Sequence, residues 1–305
     1  GLGDVYKRQS LMILQMSLAA IGLGGGALNG GANALVSDIS VTAARSRSSN
    51  LSLLGVFFGV GALGMPFLIG ILSAIFSSYQ IINTVGFFLL IPIIYFLITR
   101  FPKPKQTHSV PLSQSLSLVR DPSLILLGMI LFFQSGIEGI VSNWTTLYLE
   151  SELSMIKDQA LFALSAFVLS LTVTRLLLTV LLNRLRPYQV LLFSAALASA
   201  GVVVLFSSSP MYAIIGLVLL GAGLAAGFPV ILGYVGAIYP NLSGTAFSIV
   251  LAIGLTGNIL LNLTTGLVSN TSGIQIYPLL LMANMILLAS LLIVTLKRIS
   301  NKTAI

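Results

Sequence analysis

Long apolar runs separated by short polar connections dominate the hydrophobic pattern of this chain. A spanning helix needs about 20 mainly apolar residues. Nine runs reach that length, at residues 11–36, 51–76, 79–99, 123–148, 159–182, 188–207, 211–238, 244–268 and 276–297. Because these runs are continuous and do not alternate with polar residues, they predict an all-α membrane protein and exclude a transmembrane barrel.

The composition agrees with a chain embedded in lipid. Of the 305 residues, 56% are hydrophobic and only 7% are charged, whereas soluble domains average about 25% charged residues. There is no cysteine and a single histidine, His108, so a disulfide or a histidine–thiolate metal site is excluded. We expect no enzyme, no cofactor and no metal, and the bilayer in place of nucleic acid as the partner of this chain.

Basic residues collect in alternate connections, which explains the net charge of +8. They are Arg45 and Arg47 after the first run, Arg100, Lys103, Lys105 and Arg120 after the third, Arg184 and Arg186 after the fifth, and Lys297, Arg298 and Lys302 at the end. The fourth connection is acidic, with Glu150, Glu152 and Asp158. The positive-inside rule therefore predicts a plasma-membrane protein whose C-terminus and basic connections are cytoplasmic.

The connection over residues 100–122 is the longest, and it divides the chain unequally. It is basic and proline-rich, ends in an amphipathic piece with Leu112, Leu116 and Val119, and has three spans before it and six after it. If it joins two equal halves, the chain holds helices 4 to 12 of twelve. We then expect three helices of an N-terminal half in 10–99, a cytoplasmic linker in 100–122, six helices in 123–298 and a tail in 299–305.

The first nine residues differ in character from the rest. The stretch GLGDVYKRQ resembles the translated end of an adapter used in transposase-based sequencing libraries, and it lacks the plan of a signal peptide. We expect residues 1–9 to be non-native and the native sequence to start near Ser10, in a fragment that begins at the fourth helix.

Two glycine-rich patterns recur along the chain. "GLGGGALNGGAN" in the first run matches "GAGLAAGFP" in the seventh, and Gly61 and Gly64 of the second run match Gly254 and Gly257 of the eighth. Parallel repeats about an axis along the membrane normal are typical of secondary transporters.

Three stretches carry a family resemblance: "GLGGGALNGGANALVSDI", "GVFFGVGALGMPFLIGIL" and "GIEGIVSNWTTLYLE". They resemble the major facilitator superfamily, and within it the sugar–proton symporters that include fucose permeases. The resemblance implies a bundle of two helical halves that alternate access to a central site. That branch often carries an acidic residue where this chain has Asn29, so the resemblance assigns no proton carrier to that position.

Glu138 is the most informative polar residue, because it falls near the middle of a span. Such a carboxylate costs several kcal/mol in lipid unless it faces a cavity or a partner. At 100° per residue, Gln134, Ser142 and Thr145 lie within about 60° of it and form a polar stripe. We predict a proton-coupling or substrate-binding carboxylate, against the alternative of a structural carboxylate between helices.

Arg175 is the other charge inside a span, with Thr172 and Thr179 on its side of the helix. It could pair with Glu138 or bind an anionic solute. The stronger alternative is that Arg175 serves helix packing and gating next to the basic loop that contains Arg184 and Arg186. The resemblance implies a basic motif in that loop, and Arg184 and Arg186 keep only part of it.

Four asparagines make further candidates. Asn258 and Asn262 share a helical face with Thr265 and Ser269, and Asn29 and Asn33 share another among glycines. Amides in lipid often form interhelical hydrogen bonds, and they also suit sugar hydroxyls because they donate and accept.

Two prolines within spans, Pro66 and Pro229, are candidate kink or gating positions, because proline removes a backbone hydrogen bond. Trp144, the single tryptophan, is assigned to the interface belt in preference to stacking on a sugar.

Together these features predict a monomeric secondary transporter of a small polar solute, with a sugar as one candidate. The coupling species is expected to be a proton or another ion. An efflux transporter of the same superfamily, for an apolar or cationic compound, and a non-transporting membrane protein are the alternatives. No nucleophile–base pair or nucleotide loop points to an enzyme.

Overall fold

The computed structural model describes residues 2–40, 47–72, 75–102 and 117–303. Its helices are α1 (Leu2–Ile39), α2 (Arg47–Leu72), α3 (Ser78–Phe88), α4 (Leu90–Ile98), α5 (Pro122–Glu152), α6 (Lys157–Leu181), α7 (Pro187–Val204), α8 (Pro210–Leu224), α9 (Gly227–Ile238), α10 (Ser243–Ser272) and α11 (Tyr277–Thr303). A short 3-10 turn, Ile274–Ile276, precedes α11. In this part of the chain nine segments are long and apolar enough to cross a membrane, as the sequence predicts.

Some of the sequence predictions fall outside the described residues. These concern Arg45 and most of the 100–122 linker, including His108, Leu112 and Leu116.

Two of the predicted spans consist of two helices each. The 79–99 run is interrupted at Leu89, between α3 and α4. Pro92 explains the interruption, because it has no N–H to donate to the carbonyl of Phe88 one turn earlier. The 211–238 run is interrupted at Ala225 and Ala226, between α8 and α9.

Along the sequence the helices divide into an N-terminal group, α1 to α4, and a C-terminal group, α5 to α11. Of the N-terminal group, α1 and α2 pack against the C-terminal helices, and this contact is named here the seam. In the C-terminal group α5 is central and packs against α6, α9, α10 and α11. The buried core lies almost wholly in the C-terminal group.

The two ends of the bundle differ in charge. Alternation of the spans brings together one set of helix ends, named here the basic end, which carries Arg47, Arg100, Arg120, Arg184, Arg186, Lys297 and Arg298. The opposite set, named the acidic end, carries Glu150, Glu152, Lys157 and Asp158. The spans thus separate the basic from the acidic connections.

The seam between the two groups starts at the basic end. Ser243 at the start of α10 donates to Asp38 at the end of α1, with distances of 3.1 and 3.3 Å to the two carboxylate oxygens. From α2, Ser49 donates to the carbonyl of Thr179 at 2.5 Å and Ser52 to the carbonyl of Arg175 at 2.6 Å. Hydroxyl-to-backbone bonds therefore hold the two groups together.

A tyrosine fixes the basic end of the C-terminal group. The Tyr239 hydroxyl, just beyond α9, donates to Asp121 Oδ2 at 2.7 Å, while Asp121 Oδ1 caps α5 by accepting from the Ser123 N–H at 2.8 Å. Burial, together with the Asp121 carboxylate, raises the pKa of Tyr239. The phenol therefore keeps its proton and remains the donor.

Glycines allow α7 and α8 to approach closely. A Cβ added at Gly201 would lie 2.6 Å from the backbone nitrogen of Leu220 and 2.7 Å from the carbonyl oxygen of Gly216. Small residues at such crossings are the usual means by which helices pack in lipid.

We predict that Gly201→Ala destabilises the protein, because the added methyl group would push two backbones apart at a cost of about 1–3 kcal/mol. The measurement is the thermal unfolding temperature in detergent. The control is Gly244→Ala, where no atom lies within 4 Å of the added Cβ. Equal unfolding temperatures for the two variants would contradict the close packing of α7 and α8.

Candidate substrate and proton site

An ion pair lies at the middle of α5. Arg175 Nη2 of α6 is 3.7 Å from Glu138 Oε1, and the two side chains are 7% and 23% exposed. A carboxylate at this depth needs a partner, and the pairing that the sequence left open is the one that the structure shows. The pair joins two neighbouring helices of the C-terminal group.

Gln134 supports the carboxylate from one turn away on the same helix. Its Nε2 donates to Glu138 Oε1 at 2.9 Å and to the carbonyl oxygen of Leu224 at 2.7 Å. Both amide hydrogens are therefore used, one on the carboxylate and one on the last residue of α8.

Arg175 also touches the N-terminal group. A Cβ added at Gly55 of α2 would lie 2.9 Å from Arg175 Cδ, so the absence of a side chain at Gly55 makes room for the arginine. Arg175 Nε is buried and has no hydrogen-bond partner among the described residues. Arg175 thus lies between Glu138 on one side and α2, at the seam, on the other.

The threonines predicted beside Arg175 serve their own helix. Thr172 donates to Val168 and Thr179 to Leu176, at 2.8 and 2.7 Å. Both hydroxyls are therefore engaged by α6 itself.

Exposure differs along the polar stripe of α5. Gln134 is 3% exposed, Glu138 is 23% exposed, and Ser142 is exposed. The hydroxyl of Ser142 donates to the carbonyl of Glu138 at 2.8 Å. Exposure therefore rises from Gln134 to Ser142, while Thr145, the stripe residue nearest the acidic end, is buried.

The amides of α10 bind mainly to α5. Asn258 donates to the carbonyl of Ser135 at 2.9 Å, and Asn262 donates to the carbonyl of Asn258 at 2.8 Å. Asn262 Oδ1 accepts from Asn143 Nδ2 at 3.0 Å and from Trp144 Nε1 at 3.2 Å. The tryptophan indole is thus held within the bundle by α10.

Thr145 also joins helices. Its hydroxyl shares a 2.7 Å hydrogen bond with the Tyr277 hydroxyl of α11, and the Tyr277 ring stacks on Tyr148 with centroids 4.9 Å apart. Thr145 is 1% exposed. Sequence reasoning missed Tyr277, because an apolar helix start gives no sign of a partner more than a hundred residues away.

The remaining candidates make no contact with the ion pair among the hydrogen bonds and ion pairs described above. Asn33 is 8% exposed, and its amide donates to the side chain and the carbonyl of Asn29, each at 2.8 Å. Pro229 is buried in α9, just after the break. Pro66 lies within α2, and only its backbone is described.

The site can exchange a proton and form hydrogen bonds to a polar solute. Glu138 supplies the carboxylate, and the neighbouring hydroxyls and amides supply donors and acceptors. Among the described residues there is no group of three metal-ligating side chains.

Comparison with known proteins identifies the family. The model of the Major Facilitator Superfamily matches residues 135–304, which is more than half of the chain. The chain belongs to this superfamily. It is therefore a transporter that binds a small-molecule substrate within the bilayer, and not an enzyme.

Solved structures show the same fold. A major facilitator superfamily transporter, FucP, in the outward conformation has a TM-score of 0.68 at 19% identity, over 92% of this chain and 77% of that one. A single-residue variant of the Escherichia coli fucose:proton symporter, FucP, has a TM-score of 0.69 at 20% identity, over 92% of this chain and 78% of that one. No curated protein matches the chain.

We predict that Asn262→Ala separates α10 from α5 locally. The Asn143 amide and the Trp144 indole both donate to Asn262 Oδ1, and both would lose this acceptor. Membrane hydrogen bonds average about 0.6 kcal/mol each, so we expect a loss of about 1 kcal/mol in stability. The emission maximum of Trp144 should shift as well. The control Thr264→Ala removes an exposed hydroxyl that binds only its own helix. An unchanged emission spectrum in Asn262→Ala would contradict the contact.

Proposed function

We propose that this superfamily member is a proton-coupled transporter of a small polar solute, with a sugar as the favoured class. The carrying observation is the Glu138–Arg175 pair, which places a carboxylate and a guanidinium 3.7 Å apart near the middle of the spanning helix α5. The Glu138 side chain is 23% exposed, so it is not sealed inside the helix bundle as a purely structural pair could be. The proposal extends to a plasma-membrane location with the basic end in the cytoplasm.

The coupling follows from the environment of Glu138. A carboxylate in a low-dielectric site resists ionisation, while the nearby guanidinium favours it. Moving Arg175 or opening the site to water would therefore change proton affinity strongly. A group with this balance can load a proton on one side of the membrane and release it on the other.

The polar stripe supports a hydroxyl-rich solute. Ser142 is exposed one turn from Glu138, and hydroxyl and amide groups both donate and accept, as sugar recognition requires. The similarity to a protein described as a fucose:proton symporter supports the same class. An apolar efflux cavity would instead be lined by aromatic side chains.

The described conformation is consistent with a site open to the exterior. The seam is formed from the basic end, and Ser142, one turn nearer the acidic end than Glu138, is exposed. With the basic end cytoplasmic, alternating access requires the seam to separate before release inside the cell.

We predict that Glu138→Gln in the full-length protein abolishes accumulation of substrate driven by a proton gradient but preserves substrate exchange. Glutamine keeps the shape and the hydrogen bonds of the carboxyl group but cannot carry a proton. Uptake and counterflow in proteoliposomes, with a panel of sugars, provide the measurement.

The matched control for that experiment is Glu150→Gln, an exposed carboxylate at the acidic end. It should leave accumulation unchanged. Unchanged accumulation and unchanged pH dependence in Glu138→Gln would refute the proposed coupling. Extrusion of an apolar cation by the wild-type protein, without sugar uptake, would favour efflux.

The orientation has its own test, which the absence of cysteine makes simple. A cysteine at Glu152 should react with an impermeant thiol reagent in intact cells, because the acidic end is expected to be outside. A cysteine at Arg186 should react only after permeabilisation. The reverse pattern would overturn the assigned orientation.

A further inference from the structure

A helix break lies beside the carboxylate. The span Pro210–Ile238 is divided into α8 and α9, and Pro229 cannot donate to the carbonyl of Ala225 one turn earlier. The carbonyl of Leu224, at the end of α8, instead receives the Gln134 amide. A side chain of α5 thus stabilises the break.

The same amide is packed tightly between the break and Glu138. A Cβ added at Gly227, the first residue of α9, would lie 2.5 Å from Gln134 Oε1. Gln134 itself is 3% exposed. One buried amide therefore contacts α8 through Leu224, α9 through Gly227 and the carboxylate through Glu138.

Beyond the break, α9 reaches the seam. A Cβ added at Gly233 would overlap the Ser48 hydroxyl of α2, and one at Gly236 would overlap the Ser37 hydroxyl of α1. Ser48 and Ser37 are 6% and 0% exposed. A short helix of 12 residues thus connects the environment of Glu138 to the closed contact between the two groups.

We propose that Gln134 is a positioning residue that couples the charge of Glu138 to the α8–α9 break, and through α9 to the seam. This inference rests on the proposed function. While Glu138 is charged, it holds the amide by a charge-assisted hydrogen bond and Arg175 by attraction. Protonation weakens both, since charge-assisted bonds are roughly twice as strong as neutral ones. The break is then less restrained, and α9 separates from Ser37 and Ser48.

Other charged groups near this link are few. Helices α7, α8, α9 and α10 carry no charged residue, and α2 carries only Arg47 at its first position. In α1, Asp38 follows Ser37 at the seam, where its carboxylate accepts from Ser243. From α6 the charge that faces Glu138 is Arg175, while Lys157 and Asp158 begin that helix at the acidic end. The charges of α11 lie at its basic end.

The test uses a cysteine at Ser48 as a reporter of seam opening in the purified full-length protein. Its reaction rate with a small water-soluble thiol reagent is measured from pH 5 to 8 and normalised to the rate of an exposed cysteine at Glu152. In the protein whose only change is Ser48→Cys, we expect acidification to raise the normalised rate about fivefold or more. This is the usual size of a coupling between two sites.

In the Gln134→Leu reporter we expect the rate to be independent of pH, because the link to the carboxylate is gone. The matched control is Gln275→Leu, whose amide is exposed and binds only the nearby carbonyl of Ser272. It should keep the pH dependence of the reporter. A folded Gln134→Leu protein that keeps that pH dependence would overturn the inference.

A second variant perturbs the Gln134 amide from α9, without changing Gln134 itself. Gly227→Ala should displace Gln134 and remove the pH dependence, whereas Gly244→Ala, which meets no atom within 4 Å, should keep it. Retained pH dependence in Gly227→Ala would count against the link even if Gln134→Leu did not fold.

Glu138→Gln in the reporter separates the two proposals. If the cysteine then reacts at a high rate that does not depend on pH, Glu138 is supported as the titrating group. In that case, a Gln134→Leu protein that still responds to pH contradicts only the role of Gln134 and not the proposed proton coupling. If Glu138→Gln keeps the pH dependence, another group titrates and the proposed coupling itself fails.

Discussion

A charge in the middle of a membrane must be solvated by the protein itself, and the arrangement around Glu138 follows from that requirement. In water a carboxylate is stabilised by solvent, whereas in hydrocarbon it depends on fixed donors. Here one guanidinium and one amide supply them. Because these two side chains also contact α2 and the α8–α9 break, the solvation of one group involves helices from both parts of the bundle.

Packing in the rest of the bundle depends on the small residues that lipid-embedded helices favour. Without a hydrophobic difference between helix and lipid, close contact and hydrogen bonds hold helices together. Glycines meet backbone atoms where α7 crosses α8, and they meet side-chain hydroxyls where α9 crosses α1 and α2. The glycine contacts with backbone atoms between α7 and α8 leave no room for movement. The contacts of α9 with the serine hydroxyls lie at the seam and can separate without disrupting the buried apolar core.

Local features of the fold and of the site could be predicted from the sequence. The spans follow from apolar length, and Gln134 and Glu138 meet because residues four apart share a helical face. The partners supplied by distant helices could not be predicted, because nothing in a local pattern points to Leu224, to Tyr277 or to the Asn143 and Trp144 donors of Asn262. The break at Leu89 was missed although Pro92 marks it, since the apolar run continues through it.

The serine bonds of the seam have a consequence for the speed of transport. A hydroxyl bonded to a backbone carbonyl contributes only about 0.6 kcal/mol in a membrane protein, and Ser37 adds a buried hydroxyl without a partner among the described residues. The hydrogen bonds of the seam are therefore weak enough for ordinary thermal motion to break them. A solute with millimolar affinity binds with about 4 kcal/mol, so preference for the opened form by a fraction of that energy would be enough to shift the balance. Under the proposed coupling, turnover would then depend on how fast the solute and the proton arrive, more than on the strength of these hydrogen bonds.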